Sequence, residues 1–121
     1  MAHILAVDDA KVIRMMVKTI LEDHGHQVTL AEDGREALKF ARENEVDLVI
    51  TDLNMPNMGG MSFTAALRNL DAYRYTPILI MTTEDSDYKK NKAKGSGATG
   101  WIQKPVNEER LLRAVEKTLS K

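Results

Sequence analysis

Five residues of this chain could do chemistry together, and each follows a short apolar run. Asp8 and Asp9 come after Ile4–Val7, Asp52 after Leu48–Thr51, Thr82 after Ile78–Met81, and Lys104 shortly after Thr99–Ile102. Aliphatic runs of this length, bounded by turn residues, read as buried strands. If those strands are parallel, their C-terminal ends share one sheet edge and the five groups converge in one cleft. Three crowded carboxylates repel, so either one of them is protonated or a hard cation sits among them. Magnesium suits the second case, because it takes oxygen ligands from carboxylates, waters and phosphate oxygens. Lys104 supplies a positive point charge, and the Thr82 hydroxyl can donate to an anionic oxygen. Such a set suits phosphoryl transfer onto the central carboxylate, Asp52, since aspartate is a recognised covalent nucleophile. No glycine-rich Walker loop is present, so the phosphoryl group is expected to come from another molecule rather than directly from ATP. Taken alone, Asp52 reads equally well as a turn cap. The other four residues tip the balance.

The elements that must position these groups alternate along the chain. From Lys11 to Glu22, Val12, Ile13, Met16, Val17, Ile20 and Leu21 recur at helical spacing, and His24-Gly25-His26 stops that helix. Val28, Leu30 and Ala31 alternate with polar residues, giving a second strand near a sheet edge. Asp33-Gly34 is expected to be a turn, and Ala37, Leu38 and Ala41 mark a second helix that runs to about Asn44. The third strand ends at Thr51 and is apolar at nearly every position, as a central strand covered on both faces should be. Met58-Gly59-Gly60-Met61 is expected to be a flexible turn before a helix carrying Phe63, Ala66, Leu67 and Leu70. Ser86 to Ala93 reads as a polar helix with exposed lysines, and Asn107 caps a final helix carrying Leu111, Leu112, Val115 and Leu119. Strand and helix alternate roughly five times, which implies a doubly wound parallel α/β sheet with helices on both faces.

Composition narrows the remaining classes. The 121 residues suffice for one domain with a real core, and 43% hydrophobic with 29% charged residues is ordinary for a globular protein. A net charge of −1 gives no electrostatic case for nucleic acid or an anionic membrane as main partner. The absence of cysteine excludes disulfides, thiolate nucleophiles and cysteine-based zinc sites. The N-terminus reaches Asp8 too early for a signal peptide, and no run approaches transmembrane length. A cytoplasmic setting is expected.

The set Asp8-Asp9, Asp52, Met55-Pro56, Gly59-Gly60, Thr82 and Lys104-Pro105 resembles the receiver domain of two-component response regulators. The likeness spans essentially the whole chain, in the family's order and spacing. The runs Thr82-Thr83-Glu84-Asp85 and Gly97-Ala98-Thr99-Gly100-Trp101 make it most similar to the stand-alone chemotaxis, CheY-like type. The resemblance implies a five-stranded sheet of order 2-1-3-4-5, with residues 1–121 forming a single receiver domain without an output domain. It implies that Asp52 takes phosphate from a histidine kinase. Asp9 and Asp52 would bind Mg²⁺ with the backbone carbonyl of Asn54, and Asp8 would act through water. Thr82 and Lys104 would contact the phosphoryl oxygens, and Trp101 would move inward as Thr82 is drawn toward the phosphate. The Lys104-Pro105 peptide would be cis. The implied output is a changed affinity for a protein target such as the flagellar motor switch, by a domain that is expected to be a monomer.

Two positions depart from the family. Trp101 stands where tyrosine or phenylalanine is usual, and it also reads simply as a partly buried tryptophan in a glycine-rich strand. Thr83 stands where a smaller residue is common, and its β-branch can narrow access to the phosphoryl group. The resemblance implies that Asn54, Thr83 and Glu84 would flank the phosphate as rate-tuning positions; Asn54 and Glu84 read equally well as solvated turn residues. Lys89 to Lys94 form a solvated helix face more readily than a site for an acidic partner. His24 and His26 are expected in an exposed turn, none of His3, His24 and His26 is assigned a role, and Met15-Met16 is a packing pair. Other functions compete. A receiver can act as a phosphate sink or relay intermediate. An aspartate-based phosphatase of the haloacid dehalogenase kind places its nucleophile in a DxD motif after the first strand, where this chain has Asp8-Asp9. A flavodoxin-like module needs a hydroxyl-rich phosphate loop there, which two aspartates contradict.

Overall fold

The computed structural model describes residues 2–120, so Met1 and Lys121 of the expected domain lie outside the described residues. Along the chain run β1 (His3–Val7), α1 (Lys11–Asp23), β2 (Gln27–Ala31), α2 (Gly34–Glu43), β3 (Leu48–Thr51) and α3 (Gly60–Arg68). After them come β4 (Ile78–Thr82), α4 (Asp87–Gly95), β5 (Gly100–Gln103) and α5 (Glu108–Leu119). All strands are parallel, in the order β2-β1-β3-β4-β5, so β3 is central and β2 is an edge. This is the doubly wound sheet that the alternation implied.

Successive strand residues face opposite sides of the sheet, and the two sides are packed by different helices. Ile4, Ala6, Leu48, Ile50, Leu79, Met81 and Ile102 meet Val17, Leu21, Leu111 and Val115 of α1 and α5. Leu5, Val7, Val49 and Ile78 meet Ala37, Leu38, Ala41, Phe63 and Leu67 of α2 and α3. A smaller cluster on this second side, Leu53, Ile80 and Ala93 with Trp101 and Met61 against it, seats α4. Ala93 is the one α4 residue that is fully buried. Strands β3 and β4 are buried at every position, which is why they read as unbroken apolar runs.

The structure corrects several local expectations. Gly60 does not belong to a flexible turn: it opens α3, is buried, and a Cβ there would lie 2.2 Å from the Asp52 carbonyl oxygen. Only a glycine lets α3 start so close to the end of β3. Asp33-Gly34 is the start of a helix rather than a free turn. The Asp33 carboxylate accepts from the Glu36 N–H at 2.9 Å, and Gly34 sits against Met58. Bonds from the Glu36 and Asn57 groups hold the Asp33 carboxyl below the usual range. Lys89 and Lys90 are half-buried, while Lys92 and Lys94 are exposed. His26 is half-buried, with Nδ1 accepting from the Ala2 N–H at 3.3 Å. Of the methionine pair, Met16 packs on the core and Met15 is exposed. Gly25 does take the left-handed conformation after α1, at φ 89°.

Candidate functional site

Strand register builds the site. Val7 pairs with Thr51, so the next residues, Asp8 and Asp52, leave neighbouring strands at the same level. The Asp52 N–H continues the ladder to the Val7 carbonyl at 2.8 Å. Thr51 pairs with Ile80 on the other side, which sets Thr82 just beyond the level of Asp52. Thr82 pairs with Gln103, and the Lys104 N–H donates to the Thr82 carbonyl at 2.8 Å. Four parallel strands thus deliver Asp8-Asp9, Asp52, Thr82 and Lys104 to one edge.

The carboxylates meet there. One oxygen from each of Asp8, Asp9 and Asp52 can be chosen so that all lie within 4.8 Å of one another. Asp8 and Asp52 are buried and Asp9 is exposed, so the cluster opens to solvent on the Asp9 side. The Lys104 ammonium reaches in, with Nζ 2.8 Å from Asp8 Oδ2 and 3.5 Å from Asp52 Oδ2. Asp8 is fixed further by the Ala10 N–H, which donates to Oδ1 at 2.9 Å. The Leu53 N–H donates to Asp52 Oδ1 at 2.8 Å. Burial pushes the Asp52 carboxyl above the usual aspartate range, and the Asp8 charge adds to this against the opposing pull of Lys104. One lysine therefore does not neutralise the cluster. Hard oxygen donors in excess of positive charge are the donor set a small divalent cation fits.

The other expected residues surround this centre. Thr82 is buried, and its Oγ1 accepts from the Glu84 N–H at 3.3 Å. Asn54 and Thr83 are exposed, and Glu84 is half-buried. Trp101 lies half-buried against Leu53, Ile80 and Ala93, and its indole N–H donates to the Glu84 carbonyl at 3.2 Å. The Lys104–Pro105 peptide bond is cis.

Several supporting residues had no signature in the sequence. Arg14 donates from Nη1 to the Asp8 carbonyl at 2.8 Å, steadying the acidic turn from α1. The Met58 carbonyl accepts from the Gly34 N–H at 3.1 Å, and Asn57 Nδ2 donates to Asp33 Oδ2 at 2.7 Å, tying the loop after Asp52 to α2. Asn57 has φ 66°, a left-handed conformation that asparagine tolerates. Gln103 donates from Nε2 to the Thr83 carbonyl at 3.2 Å. These contacts join separate elements, Gln103 to Thr83 across 20 residues and Asn57 to Asp33 across 24, which no local pattern announces.

A response regulator receiver domain model matches residues 4–116 of this sequence. The chain is a receiver domain. It is 37% identical over 120 residues to the protein PilH of Pseudomonas aeruginosa, covering 99% of each chain. Among solved structures, that of the chemotaxis protein CheY4 of Vibrio cholerae superposes with TM-score 0.96 and 49% identity, covering 98% of this receiver and 99% of that chain. The receiver domain of a Pseudomonas aeruginosa sensor histidine kinase, solved with magnesium coordinated in its active site cleft, has TM-score 0.92 and 25% identity, over 99% and 98% of the two chains. As a member of this family the chain is a phospho-acceptor of two-component signalling, with a fold of the CheY type. No helix among its described residues is long and apolar enough to cross a membrane.

Proposed function

We propose that this receiver is a chemotaxis-type signalling switch that works in the cytoplasm and is phosphorylated on Asp52 by a histidine kinase. The observation that carries the reading is the position of Lys104, whose ammonium lies 2.8 Å from Asp8 and 3.5 Å from Asp52 inside a three-carboxylate cluster. In the transfer, an Asp52 carboxylate oxygen attacks phosphorus, the bond from phosphorus to the donor imidazole nitrogen breaks, and the imidazole leaves with the electron pair. Asp9, Asp52 and the Asn54 carbonyl would hold Mg²⁺, with Asp8 acting through water. When bound, the ion offsets charge on the phosphoryl oxygens. Lys104 turns to a phosphoryl oxygen and so gives up part of its hold on Asp8. Asn54, Thr83 and Glu84 border the phosphoryl position and set how readily water reaches it. The Thr82 hydroxyl moves to a second phosphoryl oxygen, and Trp101 follows it inward.

Those contacts exist only with phosphate in place, so phosphorylation shifts the population toward the conformer that has them. The output is a changed affinity for a protein target, with the flagellar motor switch as the specific expectation. The similarity to a chemotaxis protein supports this reading, as do two grooves beside Trp101. One, of about 580 Å³, lies between α4 and β5 and is lined by Lys90, Lys94 and Trp101. The other, of about 520 Å³, lies between β5 and α5 and is lined by Trp101, Arg110, Arg113 and Lys117.

The test is phosphorylation of wild type and Asp52→Asn by acetyl phosphate with Mg²⁺, read by intact mass. The wild type should gain one phosphoryl group and the variant none. Full labelling of the variant would overturn the assignment of Asp52. Turnover of phosphate monoesters by the wild type would instead favour a phosphatase.

A further inference from the structure

The loop between β4 and α4 is held from one side by a single strand. Trp101 and Gln103 are two apart on β5, so their side chains leave the same face of the sheet. They reach consecutive carbonyls of this loop. Gln103 Nε2 donates to the Thr83 carbonyl at 3.2 Å, and Trp101 Nε1 donates to the Glu84 carbonyl at 3.2 Å. The loop is joined to the Thr82 side chain as well, because the Glu84 N–H donates to Thr82 Oγ1 at 3.3 Å. At the Thr82 carbonyl the β5 backbone completes the series, through the Lys104 N–H at 2.8 Å. Three successive carbonyls, 82, 83 and 84, are therefore bonded to three groups of one strand segment, residues 101–104.

The geometry points to Gln103 as a positioning residue that, with Trp101, latches the β4–α4 loop in its resting conformation. This inference rests on the reading of Asp52 as phosphoacceptor and of Thr82 as the hydroxyl drawn to the phosphate. Because Thr82 Oγ1 is bound to the Glu84 N–H, the hydroxyl moves toward Asp52 either by leaving that N–H or by taking the loop with it. The second route breaks the bond from Gln103, whose backbone is paired to β4 at Thr82 rather than to the loop. The Thr83 side chain is exposed and α4 beyond it is anchored at Ala93, so few other contacts hold the loop. Removing one neutral hydrogen bond of this kind shifts a two-state equilibrium by roughly three- to tenfold. The affinity of a ligand that needs the minor state rises by the same factor.

Trp101 is the sole tryptophan of the chain and bonds to the same loop, so its fluorescence reports the loop directly. Beryllofluoride, which stands in for the phosphoryl group on Asp52, is titrated at saturating Mg²⁺ into wild type, Gln103→Leu, Gln103→Glu and Gln103→Lys. Leucine and glutamate lack the donor, and lysine restores one. The expected result is a midpoint three- to tenfold lower for the leucine and glutamate variants and within twofold of wild type for lysine, with the full fluorescence change retained in all. Equal midpoints across the series, or a higher midpoint for the two donor-less variants, would overturn the role of Gln103. A wild type that fails to titrate, or an Asp52→Asn control that titrates like it, would overturn the reading of Asp52 itself. Gln103 is only half-buried. Should the leucine variant unfold, the glutamate variant decides the matter at nearly unchanged side-chain size.

Discussion

The loops after β3 and after β4 leave neighbouring strands side by side, yet they are held in opposite ways. The β3 loop is pinned by backbone. The Gly60 N–H donates to the Leu53 carbonyl at 2.8 Å, the Gly34 N–H to the Met58 carbonyl, and α3 begins so near Asp52 that a methyl group does not fit. The β4 loop is held mostly by side chains, Trp101, Gln103 and the Thr82 hydroxyl, at 3.2 to 3.3 Å. It leads into α4, where one residue is fully buried, against three in α1. Backbone contacts in a packed setting have no alternative rotamer, whereas side-chain donors can swing away and be replaced by water. The proposed switch uses both kinds of loop. On that reading the side that receives charge keeps its geometry, and the side that reports it is able to move.

The sharpest way to break the contrast is to place the same small change on both sides. Gly60→Ala puts a Cβ 2.2 Å from the Asp52 carbonyl oxygen, and the nearest atoms are all backbone of Asp52 and Leu53, which cannot swing aside as a side chain can. We expect a loss of about 3 kcal/mol in urea unfolding, at the upper end for overpacked sites. A loss below about 1 kcal/mol would mean that the β3 loop is as soft as its neighbour.

The second test concerns the charge stored on the rigid side. A carboxyl whose folded-state pKa lies above its unfolded value binds its proton more tightly when native. Its penalty is absent below the unfolded value and fully present above the folded one. Asp52 is such a group, raised by burial and by Asp8. Asp52→Asn should therefore unfold at a higher temperature than wild type at pH 7 without metal, and the gain should shrink as pH falls toward the ordinary value of 3.8. Added Mg²⁺ should raise the melting temperature of wild type more than that of the variant. Equal melting temperatures at neutral pH would show that Lys104 already balances the cluster.

The smallest effect is expected on the movable side. A Cβ at Gly95, in the last turn of α4, meets nothing within 4 Å. Gly95→Ala should stabilise the protein by about 0.5 kcal/mol through the unfolded chain and helix propensity. Destabilisation there would reveal packing on α4 that the static contacts lack.

What the sequence by itself determined was the order of elements and which five candidate residues end strands at one sheet edge. Both follow from local rules: aliphatic runs that end on Asp8, Asp52 or Thr82, and helical spacing between them. The central place of β3 was legible for the same reason, since a strand covered on both faces must be apolar throughout. The tertiary structure decided how tightly each region is held. Gly60 looked like flexibility and is close packing, because a glycine has the same letter whether it bends a loop or admits a neighbouring backbone. Asp33 looked like a turn and is a helix cap that also binds Asn57. Gln103 had no signal at all, because its bond to the Thr83 carbonyl joins residues 20 apart through the pairing of two strands. Local spacing says which groups face one edge. Only the packed register fixes which of them touch and which contacts are free to let go.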